Sequence, residues 1–135
     1  MPIGNQPYPG AGIQTLLVVE DYDKLRAALG QHFERRGYRV YSVSRGRDAE
    51  AIAVSVLPQA VLLDYDLGSE DAVMLAKHLR AILPGSTIVI TGGPDNALVR
   101  TKIEAVGNIQ YLPHTHELAS LDALIEVMTS AAKLK

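Results

Sequence analysis

Apolar positions along this chain fall in short runs, and helix-spaced stretches lie between them. TLLVV (15–19) predicts a strand. DKLRAALGQHFERRG (23–37) sets Leu25, Leu29 and Phe33 at helical spacing, with Gly37 as the C-cap. YRVYSV (38–43) predicts a second strand, and RDAEAIAVSVL (47–57) a second helix stopped by Pro58. AVLLD (60–64) is apolar without interruption until its last residue, the pattern of a strand covered on both faces. EDAVMLAKHLRAIL (70–83) predicts a third helix, stopped by Pro84. STIVIT (86–91) is β-branched and backed by Gly92 and Gly93. NALVRTKIEAV (96–106) is a fourth helix with a weak apolar face, and IQYL (109–112) a last short strand. HELASLDALIEVMTSAAKL (116–134) predicts a fifth helix that buries Leu118, Leu121, Leu124, Ile125 and Met128.

Strand and helix thus alternate five times. That alternation implies a parallel five-stranded sheet with helices on both faces, a three-layer α/β sandwich. Residues 1–14, MPIGNQPYPGAGIQ, are rich in Pro and Gly and predict a flexible lead-in; one domain then covers 15–135. The chain has 135 residues, of which 47% are hydrophobic, enough for one sizeable core. Thirteen basic against fifteen acidic residues give a net charge of -2, so charge offers no argument for nucleic acid. No cysteine is present, which excludes disulfide and thiol chemistry. No apolar run reaches the roughly 18 residues of a membrane span, and the N-terminus lacks a signal-peptide pattern.

Ligands of such sheets bind beyond the C-terminal strand ends. Glu20 and Asp21 follow the first strand, Asp64 and Asp66 the third, Thr91 ends the fourth, and His114 follows the fifth. In a flavodoxin-like (βα)5 order, 2-1-3-4-5, strands one and three are neighbours, so Glu20, Asp21 and Asp64 surround one pocket. Three carboxylates at that range repel one another, and a divalent cation relieves them. Oxygen-only ligands suit Mg2+. With the cation in place, Asp64 stays ionised and attacks a phosphoryl group.

These residues, in this order and each at a strand end, resemble the receiver domain of two-component response regulators over roughly residues 15–132. The resemblance implies that Asp64 accepts the phosphoryl group. It implies that Glu20, Asp21, Asp64 and the backbone carbonyl of Asp66 hold Mg2+. Thr91 then bonds the phosphoryl group, and Tyr111 is the switch aromatic. It also implies a phosphoacceptor switch rather than an enzyme, in a cytoplasmic phosphorelay. The partner is a histidine kinase or histidine phosphotransfer protein. A face made by the fourth helix, fifth strand and fifth helix serves a homodimer or output domain. Direct nucleic-acid or membrane binding is not expected.

The sequence departs from the family at several points. His114-Thr115 stands where the family has Lys-Pro. Histidine is shorter, and its unperturbed pKa near 6.5 makes its charge conditional. A cis bond before Thr115 would cost roughly 2.5–4 kcal/mol, so that bond is expected trans, and Pro113 offers the other place for a cis bond. Gly68 stands where many receivers have proline, and Ala72 where many have glycine. The missing lysine also admits a phosphorylation-independent interaction module. Two rivals fit worse. A dehalogenase-type phosphatase would carry its DxD after the first strand, and a flavodoxin would carry a hydroxyl-rich loop there. The pattern suits both a stand-alone regulator and a piece of a longer one or of a hybrid kinase.

Overall fold

Five parallel strands form the centre of the chain in a computed structural model that describes residues 14–113. The long strands are β1 (Thr15–Val19), β2 (Arg39–Val43), β3 (Ala60–Asp64), β6 (Thr87–Thr91) and β7 (Ile109–Leu112). They lie in the order β2-β1-β3-β6-β7. Counting long strands alone, this is the expected 2-1-3-4-5. Helices α1 (Asp23–Arg35), α2 (Gly46–Val56), α3 (Ala72–Ile82) and α4 (Ala97–Val106) fill the connections. Residues 1–13 of the lead-in, His114, Thr115 and the helix expected over 116–134 lie outside the described residues.

Strand alternation divides the core in two. Leu17, Val19, Leu63, Ile88 and Ile90 face one side, against Ala49 and Ala53 of α2, Leu75 and Leu79 of α3, and Ile103 of α4. Leu16, Val18, Leu62 and Val89 face the other, against Leu29 and Phe33 of α1. All five residues of β3 and of β6 are buried, which accords with the apolar stretches AVLL and IVI within them.

The structure corrects the end of the first helix and the start of the third, and adds a ribbon between β3 and α3. The first helix ends at Arg35, and Gly37 follows with φ +94°. The third helix starts at Ala72 rather than residue 70, because Asp71 is its N-cap and accepts from the Met74 amide at 3.1 Å. The residues before it form a two-stranded antiparallel ribbon, β4 (Asp66–Leu67) and β5 (Glu70–Asp71), which the sequence pattern did not predict. No cis peptide bond occurs among the described residues, so the Leu112–Pro113 bond is trans.

One side chain fastens the side of the sheet away from β2. The Arg80 guanidinium donates to the carbonyls of Leu83 (2.9 Å), Pro84 (3.3 Å), Ser86 (2.7 Å) and Asn108 (2.8 Å). It thereby joins the end of α3 to the turn between α4 and β7. Charge-assisted bonds to carbonyls are the stronger kind. Arg80→Met is expected to lower stability by roughly 2–4 kcal/mol, since the aliphatic stem stays and the carbonyls lose their donor. Urea unfolding checks this; an unchanged midpoint would remove Arg80 from the account.

Candidate functional site

The strand ends converge on one acidic mouth. The Glu20 amide donates to the Val43 carbonyl at 3.0 Å, which prolongs the β1–β2 ladder by one residue. The Glu20 side chain is thereby buried, at 3% exposure. Its Oε2 accepts from the Tyr22 amide at 3.1 Å. Arg26 holds the same turn, donating to the Glu20 carbonyl at 2.9 Å and to Asp23 Oδ1 at 2.7 Å. Asp21 is exposed.

Asp64 closes β3 and stands in register with Thr91 of β6. Both are buried, each at 6% exposure. The Tyr65 amide donates to the Thr91 carbonyl at 2.8 Å, keeping the two strand ends together. The Asp66 amide donates to Asp64 Oδ1 at 3.2 Å and so orients that carboxylate. The Asp66 carboxylate is exposed and accepts from the Gly68 amide at 3.4 Å, a turn-forming role.

Gly68 has φ +67°, open to glycine and closed to proline. A β-carbon there would lie 3.4 Å from Asp21 Oδ2, so the ribbon passes close beside the β1–α1 loop. Glu70 reaches the other way: its Oε1 accepts from the Gly46 amide at 2.8 Å and caps α2.

Glu20, Asp21 and Asp64 bring carboxylate oxygens within 4.8 Å of one another. The Glu20 carboxyl is pushed up from 4.5 to about 8, first by burial and then by the charges of Asp64 and Asp21, against the Tyr22 amide that lowers it. A cluster that holds protons at this cost is one a cation would relieve. The donor set, all oxygen, fits a hard divalent ion.

Tyr111 lies on β7 with its hydroxyl donating to the Pro94 carbonyl at 2.6 Å. Its ring lies 6.4 Å from that of Tyr65 and beneath the Arg100 guanidinium, 5.6 Å from the ring centre. Arg100 in turn pairs with Asp95 at 2.8 Å. Gly93 lies against both tyrosines, and a β-carbon there would collide with the Tyr111 hydroxyl and with Cβ and Cγ of Tyr65.

The structure therefore gathers Glu20, Asp21 and Asp64 directly, sets Thr91 opposite Asp64, and stands Tyr111 one strand further out. Sequence reasoning missed Tyr65, Gly93 and Glu70. Tyr65 adjoins Asp64 in the DYD run, a signal that was available. The reach of Glu70 to Gly46 leaves no local signal.

Comparison with known proteins agrees with this geometry. The profile of the response regulator receiver domain matches residues 16–126. The chain is 24% identical to the Regulatory protein AtoC of Escherichia coli over 116 residues, 84% of this chain and 25% of that protein. It is 29% identical to the Transcriptional regulatory protein SrrA of Staphylococcus aureus over 56% of this chain and 32% of that one. It thus spans about a quarter to a third of the length of these curated relatives. Among solved structures, a receiver domain from Methylobacillus flagellatus is 26% identical, with a TM-score of 0.71 over 87% of this chain and 99% of that one. A response regulator protein from Burkholderia pseudomallei, solved with a phosphorylated aspartic acid, calcium ion and citrate, is 22% identical. Its TM-score is 0.76 over 90% of this chain and 70% of that one. The profile match runs through the acidic ends of β1 and β3 and through Thr91 at the end of β6, and the chain belongs to the family of response regulator receiver domains, phosphoacceptor modules of signal transduction rather than catalytic enzymes.

Proposed function

We propose that Asp64 is the phosphoacceptor and that Glu20, Asp21, Asp64 and the Asp66 carbonyl hold Mg2+. The observation that carries this reading is the convergence of three carboxylates within 4.8 Å at the mouth of a parallel sheet. The phosphorylated aspartic acid and calcium ion of the Burkholderia relative support it. The phosphoryl group comes from a phosphohistidine of a histidine kinase or phosphotransfer protein. Asp64 forms the new oxygen–phosphorus bond while the nitrogen–phosphorus bond breaks and the imidazole leaves. When bound, Mg2+ neutralises phosphoryl oxygens as charge moves between them. The Asp66 amide holds one oxygen of the Asp64 carboxylate in place. The Thr91 hydroxyl donates to a phosphoryl oxygen. Tyr111, tied to Pro94, carries the change to the face of α4 and β7. That face, with the helix expected over 116–134, meets an output domain or a second copy.

The test is intact-protein mass after incubation with acetyl phosphate, in Mg2+ and in EDTA. An added phosphoryl mass that needs Mg2+ supports the reading. No adduct together with no Mg2+ binding by titration would favour the phosphorylation-independent module. His114 takes the place of the family's lysine as a weaker cation. His114→Lys is expected to speed phosphorylation and to enlarge the structural response, read by mass and by NMR shifts around Tyr111. No change in either sinks that role.

A further inference from the structure

Beside the acidic mouth lies a cleft of about 540 Å³ whose lining includes Asp21, Asp23, Glu70, Arg45 and Arg47. Two of its carboxylates are engaged. Asp23 pairs with Arg26 at 2.7 Å, and Glu70 caps α2 through the Gly46 amide. Asp21 belongs to the carboxylate cluster with Glu20 and Asp64. The two arginines differ: neither guanidinium has a hydrogen-bond or ion-pair partner among the described residues, and both are exposed.

Their backbone is nonetheless fixed. Arg45 is the extended residue before α2 (φ -130°, ψ 151°), and Arg47 is the second residue of the helix. Gly46 between them is buried and bonded to Glu70. The ribbon that carries Asp66 therefore also steadies the arginine pair beside the site.

An anionic phosphodonor faces a difficulty at this mouth. Glu20, Asp21 and Asp64 surround it, and Asp66, Glu70 and Asp71 stand along the ribbon behind. No other cation among the described residues lines the cleft. Unpaired cations on the rim of an acidic cleft raise the local concentration of anions.

We propose that Arg45 and Arg47 form an electrostatic entry for anionic phosphodonors, governing how often a phosphoryl group reaches Asp64. This rests on the reading of Asp64 as the acceptor. The arginines act on the encounter and not on the bonds. With acetyl phosphate, the Asp64 oxygen bonds to phosphorus, the phosphorus–oxygen bond to the acetyl group breaks, and acetate leaves. They are steering residues, and their signature is an opposite effect on cation and anion.

The test measures phosphorylation rate with acetyl phosphate and Mg2+ affinity by titration, for wild type and R45E/R47E, at low and high salt. The charge reversal is expected to slow phosphorylation about tenfold at low salt and to leave less than about a twofold difference near 0.5 M salt, where screening is strong. Mg2+ affinity is expected to rise, because two repelling cations are gone. R35E/R39E, with the same charge change at the opposite end of the sheet, is expected to keep the wild-type rate. R45Q/R47Q, a gentler pair, is expected to slow the rate about threefold in the same direction. Equal rates in R45E/R47E and wild type overturn the proposal, as does equal slowing in R35E/R39E. Loss of Mg2+ affinity in step with rate also overturns it, since the arginines would then be shaping the metal site. No adduct on wild type removes the underlying reading, and this inference with it.

Discussion

Asparagine at Asp64 is expected to abolish the phosphoryl adduct and, at the same time, to raise the melting temperature of the metal-free protein. The first effect follows from chemistry: an amide offers no anionic oxygen for attack. The second follows from crowding. Asp64 and Glu20 are both buried, and their oxygens lie within 4.8 Å. Two charges at that range repel by about 3–4 kcal/mol at an effective dielectric near 20. Asp64→Asn keeps the shape and removes one of them. Mass spectrometry reads the adduct, and a thermal melt in EDTA above pH 8 reads the relief. A D64N protein that still gains the phosphoryl mass would put the acceptor elsewhere. A variant that melts lower in EDTA would show that the Asp64 carboxylate is not a repelling group in the fold.

The metal-free protein is expected to lose stability as pH rises, by about 5 kcal/mol from the Glu20 carboxyl alone. Its folded value stands near 8, against 4.5 as the ordinary value, chiefly because of burial. A raised value means that the folded state holds the proton where the unfolded state has released it. The contribution is complete below pH 4.5 and is lost as pH climbs through 8. Saturating Mg2+ is expected to flatten the slope, because the cation replaces the proton. Urea unfolding at several pH values, with EDTA or with Mg2+, measures both curves. A curve in EDTA that is flat or rises over this range would contradict the burial of an uncompensated carboxyl.

Much of the sheet and of its acidic mouth is legible in the residues alone. The inner strands β1, β3 and β6 are largely apolar runs, and those of β1 and β3 end abruptly in carboxylates. An abrupt switch from Val19 to Glu20, or from Leu63 to Asp64, marks both a strand end and a charge at the core's mouth. The ribbon of residues 66–71 is not legible. DLGSED is polar and short, and its geometry depends on Glu70 meeting the Gly46 amide, 24 positions away. The tilted tyrosine pair escapes for a similar reason. Tyr65 and Tyr111 meet only because Gly93 leaves room, and nothing local in either run records that. Arg80 reads as one more basic residue on a helix, since the carbonyls it holds are defined by chain turns and not by side chains. His114, proposed for the lysine position, rests on the sequence and lies outside the described residues.

The Arg80 fastening sets where the α4 side of the domain can give. It holds the turn after α4 through the Asn108 carbonyl, while the other end of that helix hangs on the Asn96 cap and the Asp95–Arg100 pair. One end is bolted and the other is hooked. The two ends of α4 are therefore held by different means, a guanidinium from α3 beyond its last turn and a local cap at its first. Local distortion of the domain is expected to begin at the capped end, where Leu98 is an exposed apolar side chain, rather than beside Val106.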